Sequence, residues 1–330
     1  MMEKTLDVIG LANPMQDLLV DLDKLPVTNQ NMRLKEYCFQ GGGNVTTALA
    51  AAGTLGLKAS CVGVVGDDLF GYANIEDFKF NHVDTSRIVI DPGKRTDFSI
   101  AVTESGCDGK NFLSISGTCR QLQPEDLDEK YIQSAKVLHL GGLITPACVR
   151  AAEMIHASGG KVCIDANYYR PDVYENYAHY DFFIASETYY KGVVADKGLD
   201  GNDRESVVRY IRSQGPEVVL FTFGTEGGFG LDGDEFFTWP IFKVKTVDST
   251  GAGDVFHGAY IYCYLQGWDI KTSVRFCAAV SAIKCTRQGG RMGIPTAEHV
   301  MKFLQTGEID QKELDEREFH YRHGFFGNRN

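Results

Sequence analysis

Between residues 161 and 223 the chain reads KVCIDA (161–166), DFFIA (181–185), RESVVRYIRSQG (204–215) and EVVLFTF (217–223). Three of these runs are short and apolar, and the third in order spaces its apolar residues as a helix does. A strand that is apolar on both faces has to be covered on both, which a parallel sheet between helices provides. The rhythm extends outward. LDVIGLA (6–12), KASCVGVV (58–65) and KVLHL (136–140) read as further buried strands, and NVTTALAAAGTLG (44–56) and residues 145–158 as helices. The expected fold is α/β, a parallel sheet with helices on both faces and ligand loops at the carboxyl ends of its strands. Two segments break the pattern, residues 13–40 and 93–118, with polar, alternating pieces such as NMRLKEYCFQ and RTDFSIAVTES. They read as an antiparallel flap beside the main sheet. A literal G-x-G-x-x-G at 228–233 runs into DEFFTWP, a strand pattern. The dinucleotide fingerprint needs a helix there, so the glycines read as a hairpin turn. The charged residues 306–330 read as a tail, a loosely attached helix or disordered, after one large unit spanning 1–305.

Composition narrows the function. The chain has 330 residues and is 43% hydrophobic; 33 Lys and Arg against 44 Asp and Glu leave a net charge of −11. That balance argues against a nucleic-acid or anionic-membrane partner. No stretch has the pattern of a signal peptide or about 18 unbroken apolar residues. Nine cysteines without a C-x-x-C pair argue against zinc and suit a reducing, cytoplasmic setting. There is no P-loop and no G-x-S-x-G elbow.

The chemistry concentrates in DSTGAGDVFHG (248–258). Gly251, Ala252 and Gly253 stand before Asp254 at the start of an apolar helical run. Bare amides at a helix mouth hold anions, and a carboxylate beside them can take a proton from an attacking hydroxyl. Cradle and base are the minimum for phosphorylating an alcohol. His257, one turn on, reads as packing, and Tyr260, Tyr262 and Tyr264 as helix surface and core. Gly41 to Gly43 run into Asn44, a good helix cap, and then into small residues. GVVGDDLFG (63–71) reads as a strand-to-helix turn, and TFGTEGG (222–228) offers bare amides after a buried strand.

In combination these motifs resemble the ribokinase-like, PfkB-type sugar kinases over about residues 5–304. VIGLANPMQD is similar to the family's opening strand and its sugar-binding acid, here Asp17. GGGNVTTALAAAGTLG with VGVVGDDLFG resembles the first signature, and DSTGAGDVFHGA the second. CTRQGGRMGIP (285–295) resembles the nucleotide-proximal segment, in the form found in ketohexokinase-like and sulfo-sugar kinases. The resemblance implies a three-layer fold with a small β-sheet lid that pairs two subunits. It implies Asp254 as base, with Gly251, Ala252 and Gly253 as anion hole. Gly42, Gly43 and Asn44 would join Asp17 at the sugar. Thr222, Gly224, Gly227, Ala282 and Gly289 would lie near ATP. Mg²⁺ would accompany the nucleotide, and a monovalent cation such as K⁺ would lie near Asp248 and Thr250. One departure stands out. The family's N-x-x-E reads SETY here, with Ser186 for Asn and Tyr189 for Glu, which leaves Glu187 or Asp165 to support Mg²⁺. Two other functions remain open: a catalytically silent sugar- or nucleotide-binding protein on the same fold, and a nucleoside kinase.

Overall fold

The computed structural model describes residues 3–104 and 111–324. Its thirteen strands are β1 (Leu6–Leu11), β2 (Met15–Leu22), β3 (Glu36–Gly42), β4 (Ala59–Gly66), β5 (Val83–Asp91), β6 (Asp97–Glu104), β7 (Asn111–Ile115), β8 (Ala135–Gly141), β9 (Lys161–Ala166), β10 (Phe182–Ser186), β11 (Val218–Thr222), β12 (Gly228–Asp232) and β13 (Glu235–Trp239). Nine form one sheet in the order β13-β12-β11-β10-β9-β8-β1-β4-β5. From β5 to β11 every neighbour is parallel, and β12 and β13 add an antiparallel hairpin at one edge.

Alternation along the strands explains why three layers form. Ile9, Leu138, Ile164, Phe183 and Phe221 point into one core, with the helices Pro146–Ala157, Glu187–Lys197 and Arg204–Arg212. Their neighbours Val8, Val137, Cys163, Phe182 and Leu220 point into the other, with the helices Asn44–Thr54, Ala252–Leu265 and Ile270–Lys284. Both faces are buried, as the continuous apolar runs require.

The lid is a separate four-stranded sheet, β3-β2-β6-β7. Its central pair, β2 and β6, is parallel, so the expectation of a wholly antiparallel flap is corrected. Positions 105–110 of its second segment lie outside the described residues. The turn of the β12–β13 hairpin is Gly233 and Asp234, and most of the G-x-G-x-x-G is strand β12 itself. The tail's helix is present, and only its loose attachment is corrected. Residues Gln311–Phe319 are helical, and Leu314 and Tyr321 are buried against the body. Residues 325–330 lie outside the described residues.

Candidate active site

The helix Ala252–Leu265 begins from a left-handed turn. Its N-cap, Gly251, has φ +74°, and a Cβ there would stand 2.8 Å from Gly290 Cα. That backbone strains any other residue. Among the described residues, no side chain caps this helix end, and nothing lies within 4 Å of a Cβ built on Gly253. The amides and the positive end of the helix dipole therefore meet open space. Asp254 stands half-buried in the first turn. Burial, and then the nearby Asp165 carboxylate, push it up to about 7, against the opposing pull of His257, Lys284 and Arg291.

Asp165, near the end of β9, is buried with both oxygens engaged. Oδ2 accepts from Asn44 Nδ2 at 3.0 Å, and Oδ1 lies 3.2 Å from His257 Nε2. Burial alone would raise its pKa; the His257 ring and the Asn44 amide outweigh that and hold it below the ordinary carboxylate range. Asn44 is the first residue of its helix and Gly43, at φ +86°, is the N-cap. The expected Asn44 cap is thus corrected, and its side-chain Nδ2 donates to Asp165 instead. The helices Asn44–Thr54 and Ala252–Leu265 meet closely, since a Cβ on Gly258 would fall 2.2 Å from the Ala48 carbonyl. The small residues of both signatures permit that approach, and it sets two helix N-termini side by side.

Asp17 lies on β2 of the lid rather than at the end of β1, which stops at Leu11. Ser99 Oγ on β6 donates to Asp17 Oδ1 at 2.5 Å. A Cβ on Gly42 would fall 2.2 Å from Asp17 Oδ2, so the carboxylate reaches over the glycine loop only because residue 42 has no side chain.

Residues 3–297 match the family described as pfkB family carbohydrate kinase. The chain belongs to that family. It is thus a kinase of the kind that phosphorylates sugars. It is 25% identical to the 5-dehydro-2-deoxygluconokinase of Shouchella clausii, over 93% of this chain and 98% of that one. It is 24% identical to the nucleoside kinase of Methanothermobacter thermautotrophicus, over 92% and 97%. Among solved structures, the ribokinase of Thermotoga maritima superposes with a TM-score of 0.78 at 22% identity, over 91% of this chain and all of the other, a likeness of fold.

In this pfkB kinase the other residues singled out by the resemblance lie in several different elements. Thr222 ends β11 beside Ser186 at the end of β10. Gly224 and Gly227 follow with φ +49° and +90°. Ala282 is buried on the helix Ile270–Lys284, next to Ser281, whose hydroxyl donates to the Ala252 carbonyl at 2.8 Å. Gly289 is buried against Leu19 and Gln40 of the lid, and its N–H donates to Asp248 Oδ2 at 2.6 Å. Asp248 Oδ1 accepts from the Thr250 amide at 2.9 Å. The buried Lys284 ammonium donates to the Asp248 carbonyl at 2.9 Å and to the Thr250 carbonyl. Tyr189 is in the core, its hydroxyl 2.7 Å from that of Tyr177, while Ser186 caps the helix Glu187–Lys197. Glu187 is half-exposed at that helix start, 2.6 Å from Lys191.

The sequence reading had not singled out Ser99, nor the buried pair Asp77 and Arg291 behind the glycine loop. Asp77 carried a faint signal. Asn74, Asp77, Phe78 and Asn81 recur at helical spacing, and all four are buried.

Proposed function

We infer that the protein transfers the γ-phosphoryl group of ATP to a hydroxyl of a small sugar, with Asp254 as general base. The observation that carries this reading is Asp254 itself: a half-buried carboxylate raised to about 7, in the first turn of an uncapped helix with open space before Gly253. A base near the working pH takes a proton most effectively. The amides around Gly251, Ala252, Gly253 and Asp254 would stabilise charge on the transferring group. Asp17, with Gly42, Gly43 and Asn44, would hold sugar hydroxyls. Thr222, Gly224, Gly227, Ala282 and Gly289 would border the nucleotide.

Magnesium binds through oxygen and keeps several waters, needing one or two carboxylates beside the phosphates. Glu187 fits that need, as a half-exposed carboxylate just beyond the end of β10 with one oxygen on Lys191. Both oxygens of Asp165 are taken. When bound, Mg²⁺ would neutralise developing phosphate charge.

The test is ADP release across a panel of sugars and nucleosides. Sugar-stimulated release supports the reading. Nucleoside-stimulated release, or ligand stabilisation without turnover, would replace it with one of the two alternatives.

Three further outcomes are expected. Asp17→Ala should raise the sugar KM about 10- to 100-fold, the worth of a charge-assisted hydrogen bond, and leave the ATP KM unchanged; equal sugar KM values would remove Asp17 from the pocket. Turnover should not depend on K⁺, because the carbonyls of Asp248 and Thr250 already receive the Lys284 ammonium; stimulation by K⁺ over tetramethylammonium would refute this. The third outcome concerns assembly. The lid's register puts Leu18, Phe39, Ile100 and Leu113 on one face, with Phe98 and Ile115. Phe98 stacks on Phe70 at 4.4 Å, but Leu113 and Ile115 are exposed. A second lid would cover this face, so light scattering should give about twice the 36.5 kDa chain mass. Leu113→Asp should return it to the single mass, and a wild type of single mass would refute the dimer. A cytoplasmic setting agrees with the free cysteines, and among the described residues no helix is long and apolar enough to cross a membrane.

A further inference from the structure

The fold gathers three chemistry-bearing side chains that their spacing in the chain conceals. His139 on β8 and Cys163 on β9 are register partners, so their side chains share one face of the sheet. It is the face that carries Asp165, and the helix Ala252–Leu265 lays His257 over it. Ligand atoms of His139, Cys163 and His257 lie within 4.8 Å of one another. The two rings are 0% and 4% exposed and the thiol 0%.

Hydrogen bonding determines which ring atoms are left. His139 Nδ1 is 3.2 Å from the Cys163 carbonyl. A carbonyl only accepts, so Nδ1 carries the proton. With the proton on Nδ1, the lone pair of the buried ring lies on Nε2. His257 gives its Nε2–H to Asp165 at 3.2 Å, which in the neutral ring leaves Nδ1 bare. Among the described residues neither His139 Nε2 nor His257 Nδ1 has a partner. Buried polar atoms are rarely left so. Two bare nitrogens and a thiol facing one another present only electron pairs and one labile proton. A histidine oriented by a carboxylate on its far nitrogen, as His257 is by Asp165, is the usual arrangement around a bound metal.

We propose that His139, Cys163 and His257 form a site for one zinc-class divalent cation, joined through Asp165 to the floor of the active site. Thiolate and imidazole select zinc-class ions over Mg²⁺, which wants oxygen. Binding would transfer the Cys163 thiol proton to solvent, and the thiolate and two ring nitrogens would each donate an electron pair, with no redox change. Tetrahedral zinc bonds of about 2.0–2.3 Å set donors about 3.4 Å apart, so the three side chains must draw inward. His257 then moves relative to Asp165, one of the groups that sets Asp254. Occupancy therefore lowers turnover. The binding is independent of the proposed reaction; only the effect on turnover rests on it.

The test uses the full chain, stripped of metal by a chelator and titrated with Zn²⁺ by calorimetry and with Cd²⁺ by absorbance. The expected result is one tight equivalent, a sulfur-to-cadmium charge-transfer band, and no competition from Mg²⁺. Cys163→Ala, with its fold checked by thermal melting, should lose the band and that equivalent. If that variant does not fold, His139→Gln keeps the thiol and should bind about tenfold or more weakly. Zinc should inhibit the wild type reversibly by chelator and spare Cys163→Ala. No saturable binding by the wild type, or the same band in Cys163→Ala, would overturn the site. Equal inhibition of both proteins would overturn its link to Asp254.

Discussion

Asp254→Asn is expected to lower kcat by about 10²- to 10⁴-fold, the usual cost of removing a general base. Fold and ATP affinity should survive, because the substitution keeps size and shape and the turn before it rests on Gly251. A variant keeping half the wild-type turnover would remove Asp254 from the mechanism. The pH dependence gives a second handle. Burial and Asp165 raise the carboxyl from an ordinary 3.8 to about 7. The base works deprotonated, so kcat/KM should rise with pH through about 7 and then level. Stability runs the other way. Between 3.8 and about 7 the folded state holds a proton that the unfolded state lacks, so this group makes the protein less stable as pH climbs through that window. The Asn variant lacks that loss. It should match the wild type near pH 4 and be at least as stable near pH 8, by urea unfolding at both.

The main sheet was legible because its strands are buried on both faces and so read as unbroken apolar runs. KVCIDA coincides with β9 to the residue. β5 was overlooked for the opposite reason: at the sheet's edge, VDTSRIVID exposes most of its length. The lid's place was legible from its lost helical period, but its parallel β2–β6 pair was not, since the two strands are far apart in the chain and neither pattern names its partner. The family's glycines and Asp254 announced themselves by spacing. What those glycines lean on did not, since a lone Asp or Arg in a sequence gives no sign of being buried. The tail's charges likewise hid two anchors, Leu314 and Tyr321.

Those hidden groups meet at Asp77. Its Oδ2 accepts from Arg291 Nη1 at 2.8 Å and from the Gly41 amide at 2.5 Å. Its Oδ1 accepts from Asn81 Nδ2 at 2.7 Å and from the Tyr321 hydroxyl at 2.8 Å. Arg291 also donates to the Gly42 carbonyl at 3.2 Å, and its guanidinium lies 5.2 Å over the Phe78 ring. Both charged side chains are fully buried. One ion pair thus fastens the glycine loop beneath Asp17 to the helix Leu69–Phe80 and to the C-terminal turn His320–Gly324.

Asp77→Ala should therefore destabilise the protein by about 3–5 kcal/mol, the cost of leaving a buried charge without its partner. That is a large share of the roughly 5–15 kcal/mol that holds a domain folded. In whatever fraction still folds, the sugar KM should rise, because the loop under Asp17 has lost its anchor. The double variant Asp77→Leu, Arg291→Met separates two causes. Removing both charges abolishes the unpaired guanidinium, and apolar replacement of a buried pair is often neutral. The Gly41 amide would still lack the acceptor it has in Asp77, at about 1–3 kcal/mol. The double variant should accordingly be more stable than Asp77→Ala and less stable than the wild type, by urea unfolding at neutral pH. An Asp77→Ala protein within about 1 kcal/mol of the wild type would mean that the pair does not anchor the loop, since that change lies within the ordinary spread of point substitutions.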